Sequence, residues 1–236
     1  MKEKILKTQH TVINGVPSIV WGEDSDKVYL YIHGKAGRKE EGKEFADIVC
    51  EKGYQVLAID LPEHGERKEE KDCFDPWHVV PELKGIMKYV KVHWNSISLH
   101  ATSIGAWFSM LSFEQGGFER CLLISPVLNM EHVINHMMSW AGVTIEQLEK
   151  EKRIPTDFGE TLSWEYLQYV KQHPTNRWAA PTYILYGELD NLTDQNVAEE
   201  FAEENACELT IMKGGEHWFH TEEQMAFWAE WVRKSI

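Results

Sequence analysis

The chain has 236 residues, 43% hydrophobic and 11% aromatic, enough to bury a core, which argues against intrinsic disorder and fibrous repeats. Its 24 Lys and Arg stand against 38 Asp and Glu, a formal charge of −14 that disfavours nucleic acid and other polyanionic partners, whose recognition draws on clustered positive charge. The carboxylates are scattered, with short runs such as Glu199 to Glu204, and read as a solvating surface.

In chain order, the first strand is expected over 11–21, interrupted at Asn14-Gly15 in the manner of a hairpin. A strand over 27–33 precedes a helical pattern near 39–52; a strand over 54–60 precedes one near 76–93; a strand over 96–102 precedes one near 104–115. A strand over 121–125 opens a long interval, after which come a strand over 182–187, a helix near 194–205, a strand over 208–212 and a helix near 221–235. This alternation predicts an α/β fold, a mostly parallel sheet of about seven strands flanked by helices.

The interval 126–181 shows no convincing strand but three helical patterns, near 131–140, 144–152 and 162–172. It reads as a helical insertion between two core strands of a single domain spanning 1–236. Its aromatic and methionine side chains are placed to line a cap over a pocket, with Met137, Met138, Trp140 and Trp164 as the substrate-binding candidates. The alternative is that they pack the inserted helices against one another.

Cys50, Cys73, Cys121 and Cys207 form no CxxC pair, which argues against a zinc ribbon or a thioredoxin-like motif. The charged N-terminus has no apolar signal core, and no window approaches the ~18 apolar residues of a membrane span. A cytoplasmic protein without a membrane partner is expected. His132 and His136 lie four apart on an expected helix, which is metal-ligand spacing, but no HExxH glutamate and no third ligand accompany them; no metal is expected. No glycine-rich nucleotide motif is present, and no cofactor is expected. Arg38, Lys39, Lys43 and the mixed run Arg67 to Lys71 read as solvated surface.

Three segments carry chemistry. In Ala101-Thr-Ser-Ile-Gly105, Ser103 stands between an apolar strand and a helical stretch, with small residues two positions to either side. That is the outline of a nucleophile elbow, where a tight strand-to-helix turn holds a hydroxyl exposed. Asp190 leaves the strand Tyr183-Ile-Leu-Tyr-Gly in a loop, with Asp194 as a nearby alternative acid. His217 follows the flexible Gly214-Gly215 pair. Each alone is weak, since a serine can be a helix cap and an aspartate a turn former. Together they stand in the order nucleophile, acid, base, each at the exit of a strand.

On these residues the sequence resembles the α/β-hydrolase superfamily over nearly its whole length, with Ala101 where the usual motif has glycine. Leu30-Tyr-Ile-His-Gly-Lys-Ala-Gly is similar to the family's His-Gly loop, and Ala58-Ile-Asp-Leu-Pro-Glu-His-Gly-Glu to its Asp-x-Pro-x-His-Gly segment. The resemblance implies oxyanion-binding backbone amides at Lys35 and Ile104, structural roles for Asp60 and His64, and a cap at 126–181. It implies a serine hydrolase acting on a small-molecule acyl substrate through an acyl-enzyme. A carboxylesterase, thioesterase, acyl-peptidase or carbon-carbon hydrolase would use the same three residues, and a non-catalytic binding protein is the alternative from another class.

Overall fold

The structure is a computed structural model describing residues 6–113 and 117–236. Residues 1–5, on which the N-terminal reading rests, and 114–115, the end of the helix expected over 104–115, lie outside the described residues. In chain order the elements are β1 (Thr8–Ile13), β2 (Val16–Trp21), β3 (Lys27–Ile32), α1 (Gly42–Val49), β4 (Gln55–Ile59), α2 (Pro76–His93), β5 (Ser96–Thr102), α3 (Ile104–Ser112) and β6 (Cys121–Ile124). The inserted segment holds α4 (Met130–Ala141), α5 (Ile145–Glu151), β7 (Arg153–Pro155), β8 (Thr161–Ser163) and α6 (Trp164–Gln172). The chain ends with β9 (Thr182–Gly187), α7 (Gln195–Glu204), β10 (Glu208–Met212) and α8 (Glu222–Ser235).

The main sheet has eight strands in the order β1-β2-β4-β3-β5-β6-β9-β10. The first candidate strand splits into β1 and β2 at Asn14 and Gly15, whose φ angles of 53° and 90° make a two-residue turn matched to strand twist. β2 also meets β4 antiparallel, and from β4 to β10 every pairing is parallel. Alternation along each strand divides the core between the two faces. Val28, Leu30 and Ile32 of β3 join the cluster with residues of α2, α3 and α7, while Tyr29 and Tyr31 face Phe45 of α1 and Trp228 and Trp231 of α8. Both faces are therefore covered, which is why the inner strands read as nearly continuous apolar runs.

Two expectations are corrected. The segment 126–181 does contain strands: β7 and β8 pair antiparallel through Ile154 and Leu162. Each has three residues, too few for a period-2 pattern to register. Residues 162–163 consequently leave the expected helix, and the Ser163 hydroxyl instead caps α6 by accepting the Tyr166 amide.

The basic residues near 39 and 67 are not simply solvated. Lys39 is 1% exposed and its ammonium meets Asp60 Oδ2 at 2.7 Å, Glu66 Oε1 at 2.7 Å and Glu40 Oε1 at 3.0 Å. Burial works against its charge, but these carboxylates outweigh it and raise the Lys39 pKa. Arg67 is forked between Glu70 and Glu82. Among the described residues no helix is long and apolar enough to cross a membrane.

Candidate active site

β3, β5, β9 and β10 all deliver their following loops to the C-terminal edge of the sheet, the edge at which open α/β sheets collect functional groups. Ser103 follows β5 with φ 51° and ψ −122°. A side chain at positive φ stores strain of order 1–3 kcal/mol, held here by packing on either side. Its amide donates to Ile124 O at 2.9 Å and its carbonyl accepts from Val127 N at 3.1 Å, which pins the turn to the end of β6. A Cβ on Gly105 would fall 2.3 Å from the His33 carbonyl oxygen, so only glycine lets α3 begin this close to the loop after β3. Two residues before the serine, Ala101 is fully buried between Ile32 and Leu123, and its methyl is accommodated there.

Ser103 Oγ lies 2.9 Å from His217 Nε2, and His217 Nδ1 lies 2.6 Å from Asp190 Oδ2. The three residues therefore form one hydrogen-bonded chain. Asp190 has no exposed side-chain surface, and its carboxylate is satisfied on both oxygens. Oδ1 accepts the amides of Leu192 and Thr193 at 2.9 and 3.1 Å, and Oδ2 accepts the Thr193 hydroxyl at 3.1 Å beside the imidazole. Asp194, the alternative acid, points elsewhere, toward His132 and His136. Ser125, at the end of β6, is fully buried with φ 42°.

The His33-Gly34-Lys35 loop lies against the serine: a Cβ on Gly34 would come within 3.2 Å of Ser103 Cβ. Two imidazoles brace it. His33 Nδ1 donates to Gly34 O at 2.7 Å while Nε2 accepts the Leu61 amide at 3.0 Å. His64 Nδ1 donates to Pro62 O at 2.7 Å while Nε2 accepts the Ala36 amide at 2.9 Å. Burial holds His33 neutral, lowering its pKa to about 4.

Asp60 accepts the Lys39 and Glu66 amides as well as the Lys39 ammonium. Burial alone would raise its pKa, but the Lys39 and Glu66 donors prevail and hold it below the usual carboxylate range. Gly65, at φ 55°, belongs to the same device, since a Cβ there would fall 2.2 Å from Asp60 Oδ1. Ile104 is the first residue of α3, so its amide belongs to the helix turn whose N–H groups lack intrahelical acceptors.

A cavity of about 480 Å³ opens beside Ser103 and Ile104. One wall is the apolar face of α4, with Met130, Val133, Ile134 and Met137 at helical spacing. Phe74, Trp77 and Tyr166 also line the cavity, and the Tyr166 ring stacks on Trp107 at 5.8 Å. Of the four side chains expected here, Met137 lines the cavity; Met138, Trp140 and Trp164 are not among the lining residues. Met138 is one position off the facing stripe and buries in the core. Trp140 is 55% exposed and meets Phe158 edge to face. Trp164 packs under the Lys152 ammonium at 5.5 Å.

The charged rim has no counterpart in the sequence reading: Lys35 pairs with Glu160, and Arg153 approaches Asp72 at 3.6 Å, so both ends of the β7–β8 hairpin are tied to loops of the main sheet. Pairings between residues so distant in sequence leave no local pattern. The Phe74-Asp-Pro-Trp77 entry into α2 does carry a signal, two aromatics around a helix start in a segment just beyond the Asp60–Gly65 motif.

No family model matches the chain, and no curated protein matches its sequence. Solved structures do match in three dimensions. Est1E from Butyrivibrio proteoclasticus, in a structure with bound ferulic acid, superposes with a TM-score of 0.76 at 16% identity, covering 96% of each chain. An esterase of Pyrococcus furiosus gives 0.67 at 16% identity over 98% of this chain and 89% of its own. A soluble variant of monoglyceride lipase from Saccharomyces cerevisiae gives 0.66 at 14% identity over 99% and 96%. The chain has the α/β-hydrolase fold.

Proposed function

We propose that this protein is a serine hydrolase that cleaves a carboxylic ester, or a closely related acyl bond, with Ser103 as nucleophile, His217 as general base and acid, and Asp190 as the residue that orients the imidazole. The observation that carries the reading is the Ser103–His217–Asp190 chain of hydrogen bonds at the edge of the cavity. An esterase and a lipase among the structures of like fold support it.

A serine hydroxyl is a poor nucleophile until an adjacent base takes its proton. With Nδ1–H donating to Asp190, Nε2 carries the lone pair that faces Ser103 Oγ, so the proton moves to Nε2 as Oγ attacks the acyl carbon. The tetrahedral oxyanion is met by the Lys35 and Ile104 amides, each such donor supplying about 3 kcal/mol in an enclosed site. His217 returns the proton to the leaving group, and water cleaves the acyl-enzyme by the same steps. The segment 126–181 acts as a cap, and the wall of Met137, Phe74, Trp77 and Tyr166 suits an apolar acyl group.

Covalent labelling by a fluorophosphonate, followed by a panel of p-nitrophenyl esters graded by acyl length, tests this. Labelling is expected at Ser103 and lost in Ser103→Ala together with ester turnover. Labelling retained in that variant would remove the assignment.

A further inference from the structure

His132 and His136 stand one turn apart on α4, their ring centroids 4.3 Å from each other. The sequence shows no third ligand for them, but the fold brings one from the start of α7: Asp194 Oδ2 lies 2.9 Å from His132 Nε2 and 3.7 Å from His136 Nε2. All three donor atoms fall within 4.8 Å of one another. Asp194 is the N-cap of α7, where an aspartate ordinarily accepts a backbone amide of the first turn. Here it makes no cap hydrogen bond. Its carboxylate is turned to the two histidines instead.

Bonds of ~2.0–2.2 Å to a tetrahedral ion set neighbouring ligand atoms about 3.3 Å apart, and the observed 2.9 and 3.7 Å straddle that value. Two imidazoles and one carboxylate are a donor set for borderline cations, whereas Mg2+ and Ca2+ take oxygen ligands. The side chains are 29%, 32% and 49% exposed, so water can complete the coordination. We propose that His132, His136 and Asp194 form a binding site for one divalent cation of the Zn2+ class.

The site is separate from Ser103 but mechanically joined to the cavity. α4 presents Met130, Val133, Ile134 and Met137 as its wall, and Asp194 is two residues beyond Leu192, another lining residue. A bound cation ties that wall to the loop that carries Asp190.

The test is calorimetric titration of ZnSO4 into the metal-free full chain, with MgCl2 as a control, alongside thermal unfolding with and without Zn2+. The expected result is one Zn2+ per chain with a Kd at or below about 10 µM, and no response to Mg2+. His136→Ala and Asp194→Asn should each weaken binding about tenfold or more and abolish the Zn2+-induced rise in melting temperature, without changing ester turnover in the absence of metal. His217→Ala should bind Zn2+ as the wild type does. Absence of saturable binding, binding untouched by either ligand variant, or binding lost in His217→Ala would overturn the proposal. The last outcome would place the ion at the hydrolytic site, which the labelling experiment probes independently.

Discussion

Gly187 and Glu216 are in backbone contact that leaves no room for a side chain: a Cβ on Gly187 would stand 2.5 Å from the Glu216 carbonyl oxygen and 2.6 Å from that of Gly215. Gly187 ends β9, three residues before Asp190, and Glu216 immediately precedes His217. The approach of these two loops is what brings His217 Nδ1 within 2.6 Å of Asp190 Oδ2. Gly187→Ala should push the loops apart and lower kcat by about tenfold or more, with a stability loss of about 1–3 kcal/mol. Turnover of p-nitrophenyl acetate and the melting temperature are the readouts. Wild-type turnover would show that the contact does not set the geometry.

Asp190 and Asp194 should differ sharply on replacement by asparagine. Asp190 Oδ1 is held by two backbone N–H donors, so in Asp190→Asn the new carboxamide keeps its carbonyl oxygen there and turns its NH2 toward His217. That reverses the tautomer, protonating Nε2 and leaving Ser103 without a base, for a loss of about 10³–10⁴-fold in kcat. Asp194→Asn should leave kcat near wild type in metal-free buffer. The reverse ranking would identify the wrong acid.

The triad candidates are legible in the sequence because each sits at a place where local sequence is decisive: a serine between small residues at a strand exit, a histidine after two glycines, an aspartate after an apolar run. The parallel sheet is legible for a similar reason, its inner strands being apolar on both faces. What escapes depends on docking between distant parts of the chain. Met137 and Met138 are adjacent, and only the seating of α4 decides which meets the cavity. Lys39 reads as surface until Asp60 is folded over it, and Asp194 reads as an alternative acid until the fold turns it toward the histidines of α4.

His100 should set part of the protein's response to acid. It lies in β5 with its ring 4.7 Å from Tyr31 and 4.3 Å from Phe45, buried, and among the described residues neither ring nitrogen has a hydrogen-bond partner. Burial lowers its pKa to about 3, and that of His33 to about 4. In the unfolded chain both rings take up protons as pH falls through ~6.5, while the folded protein resists until the lower values are reached. The stability that these two neutral rings contribute is therefore complete above ~6.5 and lost as pH falls toward 4, by about 1.4 kcal/mol per pH unit for each. His100→Phe should halve the slope contributed by the pair and raise stability at neutral pH by about 1 kcal/mol, since two unpartnered polar atoms leave the core. Urea unfolding at pH 7, 6 and 5 measures both, and a slope unchanged by the substitution would show that His100 does not contribute.

The cavity wall makes the last distinction. Trp77 and Met137 line it, Trp140 lies outside, and Trp164 is occupied with Lys152. If the acyl group enters this cavity, Trp77→Ala removes a face of aromatic surface that an acyl chain would otherwise cover. KM for aromatic or long acyl esters should then rise about tenfold while that for acetate esters stays within about twofold. Met137→Ala should lengthen the preferred acyl chain, because it opens space at the end of the α4 stripe without altering the hydroxyl. Trp140→Ala should change neither acyl preference nor melting temperature appreciably, as its ring is mostly in water. Trp164→Ala should lower the melting temperature and leave the acyl profile alone. Measured on one series of p-nitrophenyl esters, the four variants separate wall from packing. An acyl profile shifted by Trp140→Ala and untouched by Trp77→Ala would place substrate on the outer face of α4 rather than in the cavity.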